Sequence, residues 1–166
     1  MAAASDELRP LPEIALRPML ESDVPEVVAL ERLSYPFPWS EGIFRDCVRV
    51  GYTCRVLDLG AQIIGYGVMS SGAGEAHILN VCVQPIFRAR GLGRRLLEHL
   101  MDVGAAAGML EIFLEVRPTN TAAIRLYQSL AFEQVGMRRG YYQAVHGRED
   151  AVILRTSLRG RRPRTG

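Results

Sequence analysis

The chain reads as an α+β (mixed α/β) domain: one mixed sheet of about seven strands, flanked by helices. Three observations predict this. Seven short runs are rich in β-branched and aliphatic residues and are bounded by glycine or proline. Four other segments carry helix caps or apolar residues at helical spacing. Their order, β-α-α-β-β-β-α-β-α-β-β, combines antiparallel hairpins with one central β-α-β crossover.

The elements follow one another with clear punctuation. IALRP (14–18) is a first strand that Pro18 ends. Asp23-Val-Pro-Glu26 resembles a helix start, with a capping acid and a glutamate three residues on. Val27, Val28, Leu30 and Leu33 supply that helix's apolar side. PFPWSEGIF breaks the chain at its prolines, and Ser40 then caps a short helix carrying Ile43, Phe44 and Cys47. YTCRVLD (52–58) and AQIIGYGVMS (61–70), separated by Leu-Gly, form a hairpin signal. Gly72 and Gly74 mark a second turn before EAHILNVCV (75–83). A helix over about 91–107 puts Leu92, Leu96, Leu97, Leu100 and Met101 on one face, and Gly108 stops it. LEIFLEV (110–116) alternates strictly, with Leu110, Ile112, Leu114 and Val116 on one side and Glu111, Phe113 and Glu115 on the other. Asn120 caps a helix over about 121–130, and AFEQVGMRR and EDAVILRT supply two closing strands.

Length and composition bound the function. The 166 residues make one ordinary domain, and 48% hydrophobic with 23% charged content describes a globular chain. No apolar run reaches the roughly 18–20 residues of a membrane span. MAAASDELRPLPE places acids and prolines where a signal peptide has a basic start and an apolar block, so a cytoplasmic protein is expected. Cys47, Cys54 and Cys82 are odd in number and form no C-x-x-C pair, which favours buried reduced thiols. His77, His99 and His146 are scattered without ligand spacing, so no metal site is expected. Net charge is +2, but the four arginines of RGRRPRTG leave +2 − 4 = −2 for residues 1–158. We expect a single domain over 1–158 and a short, disordered basic tail over 159–166. Such a tail could touch nucleic acid weakly, and no other direct nucleic-acid binding is expected. All twenty basic residues are arginine.

RARGLGRR (88–95) packs four arginines and two glycines at the threshold of a helix. The first amides of a helix lack internal partners, the helix dipole adds positive character, and glycine lets backbone approach a bulky anion. A pyrophosphate suits such a place, and flanking arginines strengthen the binding. A Rossmann fingerprint would need glycine at Leu96, and a P-loop would need lysine, so neither motif fits. By itself the turn is equally compatible with solvated arginines on a tight loop.

Arg88-Ala89-Arg90-Gly91-Leu92-Gly93 resembles the R/Q-x-x-G-x-G/A loop of the GNAT acetyltransferase superfamily, and the element order is similar over about residues 13–157. SYPFPWSE (34–41), FLEVRPTNTAAIRLYQSLAF (113–132), RRGYY (138–142) and GREDA (147–151) resemble the RimI type. These are bacterial enzymes that acetylate the N-terminal alanine of a small-subunit ribosomal protein. The resemblance implies acetyl-CoA as cosubstrate, with its pyrophosphate on residues 88–94 (Arg94 included). It implies pantetheine contacts at the splayed strand segment Val81, Cys82 and Val83, and a coenzyme A contact at Asn120. It further implies Glu115 as proton acceptor and Tyr127 as proton donor to the leaving thiolate.

Each assignment has a structural alternative. Glu115 could be a strand-edge carboxylate paired with Arg117, Tyr127 an amphipathic core tyrosine, and residues 80–83 an ordinary buried strand. Phe37, Trp39, Tyr141 and Tyr142 are candidate walls of a substrate cleft, or packing residues. Departures from the RimI pattern are small: Ala131 replaces the usual glycine before Phe132, Gly140 a usual asparagine, and Ala89 interrupts the basic run. Competing readings are a GNAT enzyme acting on lysine side chains or small amines, and a catalytically silent acetyl-CoA- or ribosome-binding module.

Overall fold

In the computed structural model, which describes residues 13–162, the chain forms strands β1 (Ile14–Pro18), β2 (Thr53–Leu59), β3 (Gln62–Gly72), β4 (Glu75–Val83), β5 (Glu111–Val116), β6 (Glu133–Gln143) and β7 (Arg148–Ser157). Helices α1 (Val24–Ser34) and α2 (Glu41–Arg49) join β1 to β2, α3 (Leu92–Ala106) joins β4 to β5, and α4 (Thr121–Ser129) joins β5 to β6. The N-terminal residues read as unlike a signal peptide, and residues 163–166 of the basic tail, lie outside the described residues.

The seven strands make one sheet in the order β1-β2-β3-β4-β5-β7-β6. Every pairing is antiparallel except β4 with β5, the crossover bridged by α3. The hairpin turns form where expected: Gly60 and Ala61 (φ 57° and 70°) close β2–β3, and Ala73 and Gly74 (φ 52° and 80°) close β3–β4.

Helices pack on both faces of the sheet. On one face, Val27, Val28 and Leu30 of α1 and Phe44 and Cys47 of α2 pack on Val56, Tyr66 and Val68. On the other, Leu97, Leu100 and Met101 of α3 pack on Met69, Ile78, Ile112 and Leu114. Leu96, Leu97 and Leu100 are essentially inaccessible, each worth about 1.5–3 kcal/mol of burial.

Four local expectations are corrected. Leu33 is exposed, and the buried residue on that stretch of α1 is Glu31, a carboxylate that the apolar pattern could not flag. Asp23 does not cap α1; its carboxylate accepts from the Leu20 amide and pairs with Arg17 (2.8 Å), closing a single 3-10 turn over Glu21–Asp23. Glu26 is equally uninvolved in a cap and accepts from the Ile63 amide of β3. Leu110 precedes β5 and is exposed, whereas Ile112, Leu114 and Val116 are buried as their alternation requires. In the basic tail, Arg161 pairs with Asp102 at 2.7 Å, so the segment is pinned on α3 at that residue.

Candidate active site

β4 and β5 pair only over Glu75–Ile78 with Glu111–Leu114, and beyond Ile78 the two strands part. A register shift in β3–β4 at Val68/Met69, leaving Leu79 without a partner, marks where β4 turns away. Neighbouring residues of a strand direct their backbone groups to opposite sides. β4 stays in register with β3 through Val83, and the Gln84 amide donates to Ile64 O of β3, so by alternation the backbone groups of Val81 and Val83 face the opening. Their carbonyls are used from that side: the Tyr35 hydroxyl donates to Val81 O (2.8 Å) and Arg88 Nε to Val83 O (3.0 Å). Their N–H groups point the same way, as a ladder of donors for an extended amide-bearing chain.

This geometry is held from beneath by a carboxylate that sequence reasoning missed. Glu31, only 2% exposed, accepts from the Tyr66 hydroxyl, from Asn80 Nδ2 at 3.0 Å and from the Trp39 amide at 3.2 Å. It therefore ties α1, the α1–α2 loop, β3 and the parting strand β4 at one point. Burial, together with the neighbouring Cys82 and Glu31, pushes the Tyr66 phenol well above its ordinary range, so it stays a donor. A full set of partners is what allows a carboxylate to sit there.

The glycine-arginine turn lies where β4 ends. Ala89 and Gly91 adopt left-handed backbone (φ 61° and 77°), and Gly91 is the N-cap position of α3. A side chain built at Gly91 would meet nothing within 4 Å, so the approach to the helix N-terminus is open. At Gly93 a Cβ would lie 3.3 Å from Leu126 Cδ2, so that glycine serves the close approach of α3 to α4. Arg94 reaches across to Ser129 Oγ at 2.6 Å, and Arg90 lies over the Phe87 ring at 5.6 Å. An open, positively charged helix start beside free strand amides fits a pyrophosphate joined to an amide-bearing arm.

A cavity of about 410 Å³ opens beside the parting strands, lined by Trp39, His77, Glu115, Arg138, Tyr141 and Tyr142 among others. Glu115, whose side chain is only 9% exposed, is one of the lining residues. Its Oε2 lies 2.6 Å from His77 Nε2 and its Oε1 3.3 Å from Arg138 Nε. Burial opposes the charged form of Glu115, but the hydrogen bond and positive charge of His77, followed by the Arg138 charge, outweigh it and hold the carboxyl below its ordinary value. The alternative pairing with Arg117 does not occur: Arg117 binds Glu149 at 3.0 Å and stacks on the Tyr142 ring at 4.4 Å. Gly140 (φ 58°) sits in the irregular stretch of β6 between Arg138 and Tyr142. Its amide donates to Asp150 and its carbonyl accepts from Arg148, so the stretch carrying the two tyrosines is pinned to β7.

Of the candidate cleft residues, Trp39, Tyr141 and Tyr142 gather around Glu115, whereas Phe37 lines a second cavity of about 360 Å³ with Tyr35, Arg117 and Asn120. Asn120 caps α4, its Oδ1 accepting from the Ala123 amide at 3.3 Å. Tyr127 lines neither cavity. It packs on Phe132 with ring centroids 5.7 Å apart, and burial raises its hydroxyl to about 12, which keeps it protonated at neutral pH. His77 and Arg138 escaped the sequence reading. The alternation of EAHILNVCV, combined with the β4–β5 register that sets His77 opposite Phe113, was the signal that could have placed His77 beside Glu115.

The three cysteines are buried and unpaired, and burial raises the Cys54 thiol to about 11. Among the described residues there is no group of three His, Cys, Asp or Glu side chains placed to hold a metal, and no helix long and apolar enough to cross a membrane.

Comparisons with known proteins agree with this geometry. The profile of the acetyltransferase (GNAT) family matches residues 24–132. The [ribosomal protein bS18]-alanine N-acetyltransferases of Salmonella typhimurium and Escherichia coli are each 38% identical over 133 residues, spanning 80% of this chain and 90% of theirs. The crystal structure of the ribosomal-protein-S18-alanine N-acetyltransferase from Escherichia coli superposes with a TM-score of 0.83 at 34% identity, covering 88% of this chain and 94% of that one. Arabidopsis thaliana NAA60 in complex with acetyl-CoA shares the fold, with a TM-score of 0.79 at 19% identity over 89% of this chain and all of that one. With its splayed β4–β5 pair and glycine-arginine turn, the chain belongs to the GNAT acetyltransferase family and, within it, to the RimI type.

Proposed function

We propose that the protein is a cytoplasmic N-alpha-acetyltransferase that moves an acetyl group from acetyl-CoA to the N-terminal alanine of a small-subunit ribosomal protein. The observation that carries this reading is the 38% identity to enzymes of that name across 90% of their length. The site's geometry supports it. Residues 88–94 at the start of α3 would hold the pyrophosphate, and the Val81 and Val83 amides the pantetheine arm. Cys82 would pack beneath that arm, and Asn120 would add a contact from the α4 cap. When bound, acetyl-CoA supplies a thioester whose carbonyl carbon is open to attack by an amine.

The chain's own residues do the rest. Trp39, Tyr141 and Tyr142 would enclose the incoming N-terminus, with Phe37 beside the neighbouring cavity taking the residues that follow. Glu115 would draw the ammonium and serve as proton acceptor, directly or through a water. A backbone amide of the parting strand would polarise the thioester oxygen. Tyr127, held protonated by burial, would supply the leaving thiolate with a proton. An N-terminal amine has an ordinary pKa near 7.7–8.0 against about 10.4 for lysine, so one carboxylate meets a far smaller demand at a chain terminus. The catalytic domain spans residues 1–158, with 159–166 as a basic appendage, and neither a metal nor a membrane enters the reaction.

The test is incubation with acetyl-CoA and N-terminally free small-subunit ribosomal proteins, followed by intact-mass and fragment mapping. One added acetyl group on a terminal alanine is expected. Modification of lysine side chains or small amines alone would replace this reading by the broader GNAT one.

A further inference from the structure

We propose that Arg138 is a positioning residue of the transfer: its guanidinium, held on the Glu115 carboxylate, biases an amine bound there toward its neutral, reactive form. The proposal rests on the reading of this cavity as the acetyl-transfer site with Glu115 as proton acceptor, and it names the charge that makes the amine release its proton.

A carboxylate alone works against this task. An ammonium beside it is stabilised as an ion pair, which raises the pH at which the amine becomes neutral. A nucleophilic nitrogen needs the opposite, and a second cation nearby supplies it. The pair of ammonium and Glu115 has no net charge before a proton leaves for water, and one negative charge afterwards. A fixed positive charge beside the pair therefore favours the loss.

Arg138 is placed for that role. Its Nε lies 3.3 Å from Glu115 Oε1, while His77 Nε2 occupies Oε2 at 2.6 Å. Glu115 pairs with Ile153 of β7, and Arg138 pairs with Ala151, two positions away on the same face. The guanidinium thus crosses β7 where the intervening side chain is only a methyl group. It also lies over the Tyr141 ring at 5.5 Å. An amine within hydrogen-bond reach of Oε1 comes within about 6 Å of Arg138. The Arg138 side chain is 54% exposed, so it keeps contact with water when an entering amine takes a share of Oε1.

The other charges around Glu115 do not duplicate this one. From β4, His77 adds positive charge only when its ring is protonated, whereas a guanidinium stays charged at every working pH. Glu75 of β4 lies opposite Glu111 of β5, and Glu111 is held by Arg155 of β7. Arg117 is held by Glu149. Burial pushes the phenols of Tyr142 and Tyr127 up, so both stay neutral. Glu31 is enclosed by its three donors.

The steps balance. The substrate ammonium passes one proton to Glu115 and on to water, and the freed electron pair forms the C–N bond at the thioester carbonyl as the C–S bond breaks. The sulfur takes a proton from Tyr127, which recovers one from the nitrogen. One ammonium and one thioester yield one amide, one thiol and one proton.

Arg138→Gln removes the charge and keeps a polar side chain, whereas Arg138→Lys keeps the charge. Single-turnover transfer to a saturating alanine-terminated peptide is followed across the pH range in which an α-amine titrates, beside the peptide KM and the acetyl-CoA affinity. In the glutamine variant the rising limb of the pH–rate profile should move up by about 0.5–1 pH unit, the effect of one half-exposed charge. The rate near pH 7 then falls by about 3–10-fold and converges on the parent's at high pH. The peptide KM below the limb should hold or fall, because the ammonium is no longer repelled, and acetyl-CoA affinity should match the parent's. Arg138→Lys should return the limb to the parent's position. An equal loss at every pH, or a limb that does not move, would overturn the role. Transfer by the parent only to lysines or small amines would overturn the substrate reading alone, since the same shift is then expected with those amines.

Discussion

The turn over residues 88–93 and the cavity over Glu115 are the two halves of one site, and they are built by opposite means. The turn is made of backbone: left-handed residues at 89 and 91, an open helix start, and a strand whose amides face outward. Its specification is local, contained in a few consecutive residues. The cavity is made of side chains from strands distant in sequence, with His77 and Glu115 separated by 38 positions and Glu31 and Asn80 by 49. The difference teaches that binding and chemistry in this fold should fail independently, and the experiments below are ordered to test that.

The largest effect is expected on the chemical side. Tyr127→Phe keeps the ring against Phe132 and deletes the hydroxyl. Turnover measured with saturating acetyl-CoA should fall about 10²–10⁴-fold, while acetyl-CoA affinity stays near the parent's. Parental turnover would return Tyr127 to a packing role.

Gly91→Val addresses the other half. No neighbour obstructs a side chain there, but φ of 77° suits a branched residue poorly. Left-handed backbone costs about 1–2 kcal/mol for an L-residue, so calorimetry should show acetyl-CoA binding weakened by about tenfold or more in a folded protein. Unchanged affinity would detach the turn from cosubstrate binding.

A smaller effect sharpens the cavity's electrostatics. The carboxyl of Glu115 titrates below its ordinary 4.5 in the folded state, so its ionised form contributes stability above the unfolded value. That contribution is lost as pH falls through the folded value. Denaturation of Glu115→Gln against the parent should show a destabilised variant near neutrality and a shrinking difference below about pH 4.5. A difference constant with pH would mean that His77 and Arg138 do not hold the carboxylate.

The smallest change is expected at Ala131, which follows α4 with φ of 66° where glycine is at ease. Ala131→Gly should raise the unfolding free energy by about 0.5–1 kcal/mol, leaving both halves of the site unchanged.

The same contrast explains what was legible in the sequence. Strand and helix order, the two tight turns and the apolar face of α3 follow from local periodicity and turn chemistry, and the phosphate-binding turn announces itself in its glycines and arginines. Glu31 was illegible because a lone acid within an apolar helix face looks like surface until its three partners arrive from β3, β4 and the α1–α2 loop. Asp23 misled because a carboxylate before a helix has two uses, and here Arg17 and the Leu20 amide took it. His77 was invisible to a search for metal spacing. Its meaning depends on the register between two parallel strands joined through α3.

The central claim is that this cavity accepts a chain terminus. The most direct measurement is acetyl transfer to a synthetic peptide that begins with alanine and carries lysines downstream, beside the same peptide with its terminus blocked. The account predicts one acetyl group on the first residue's nitrogen and no transfer to the blocked peptide. Comparable acetylation of the blocked peptide on its lysine side chains would contradict it.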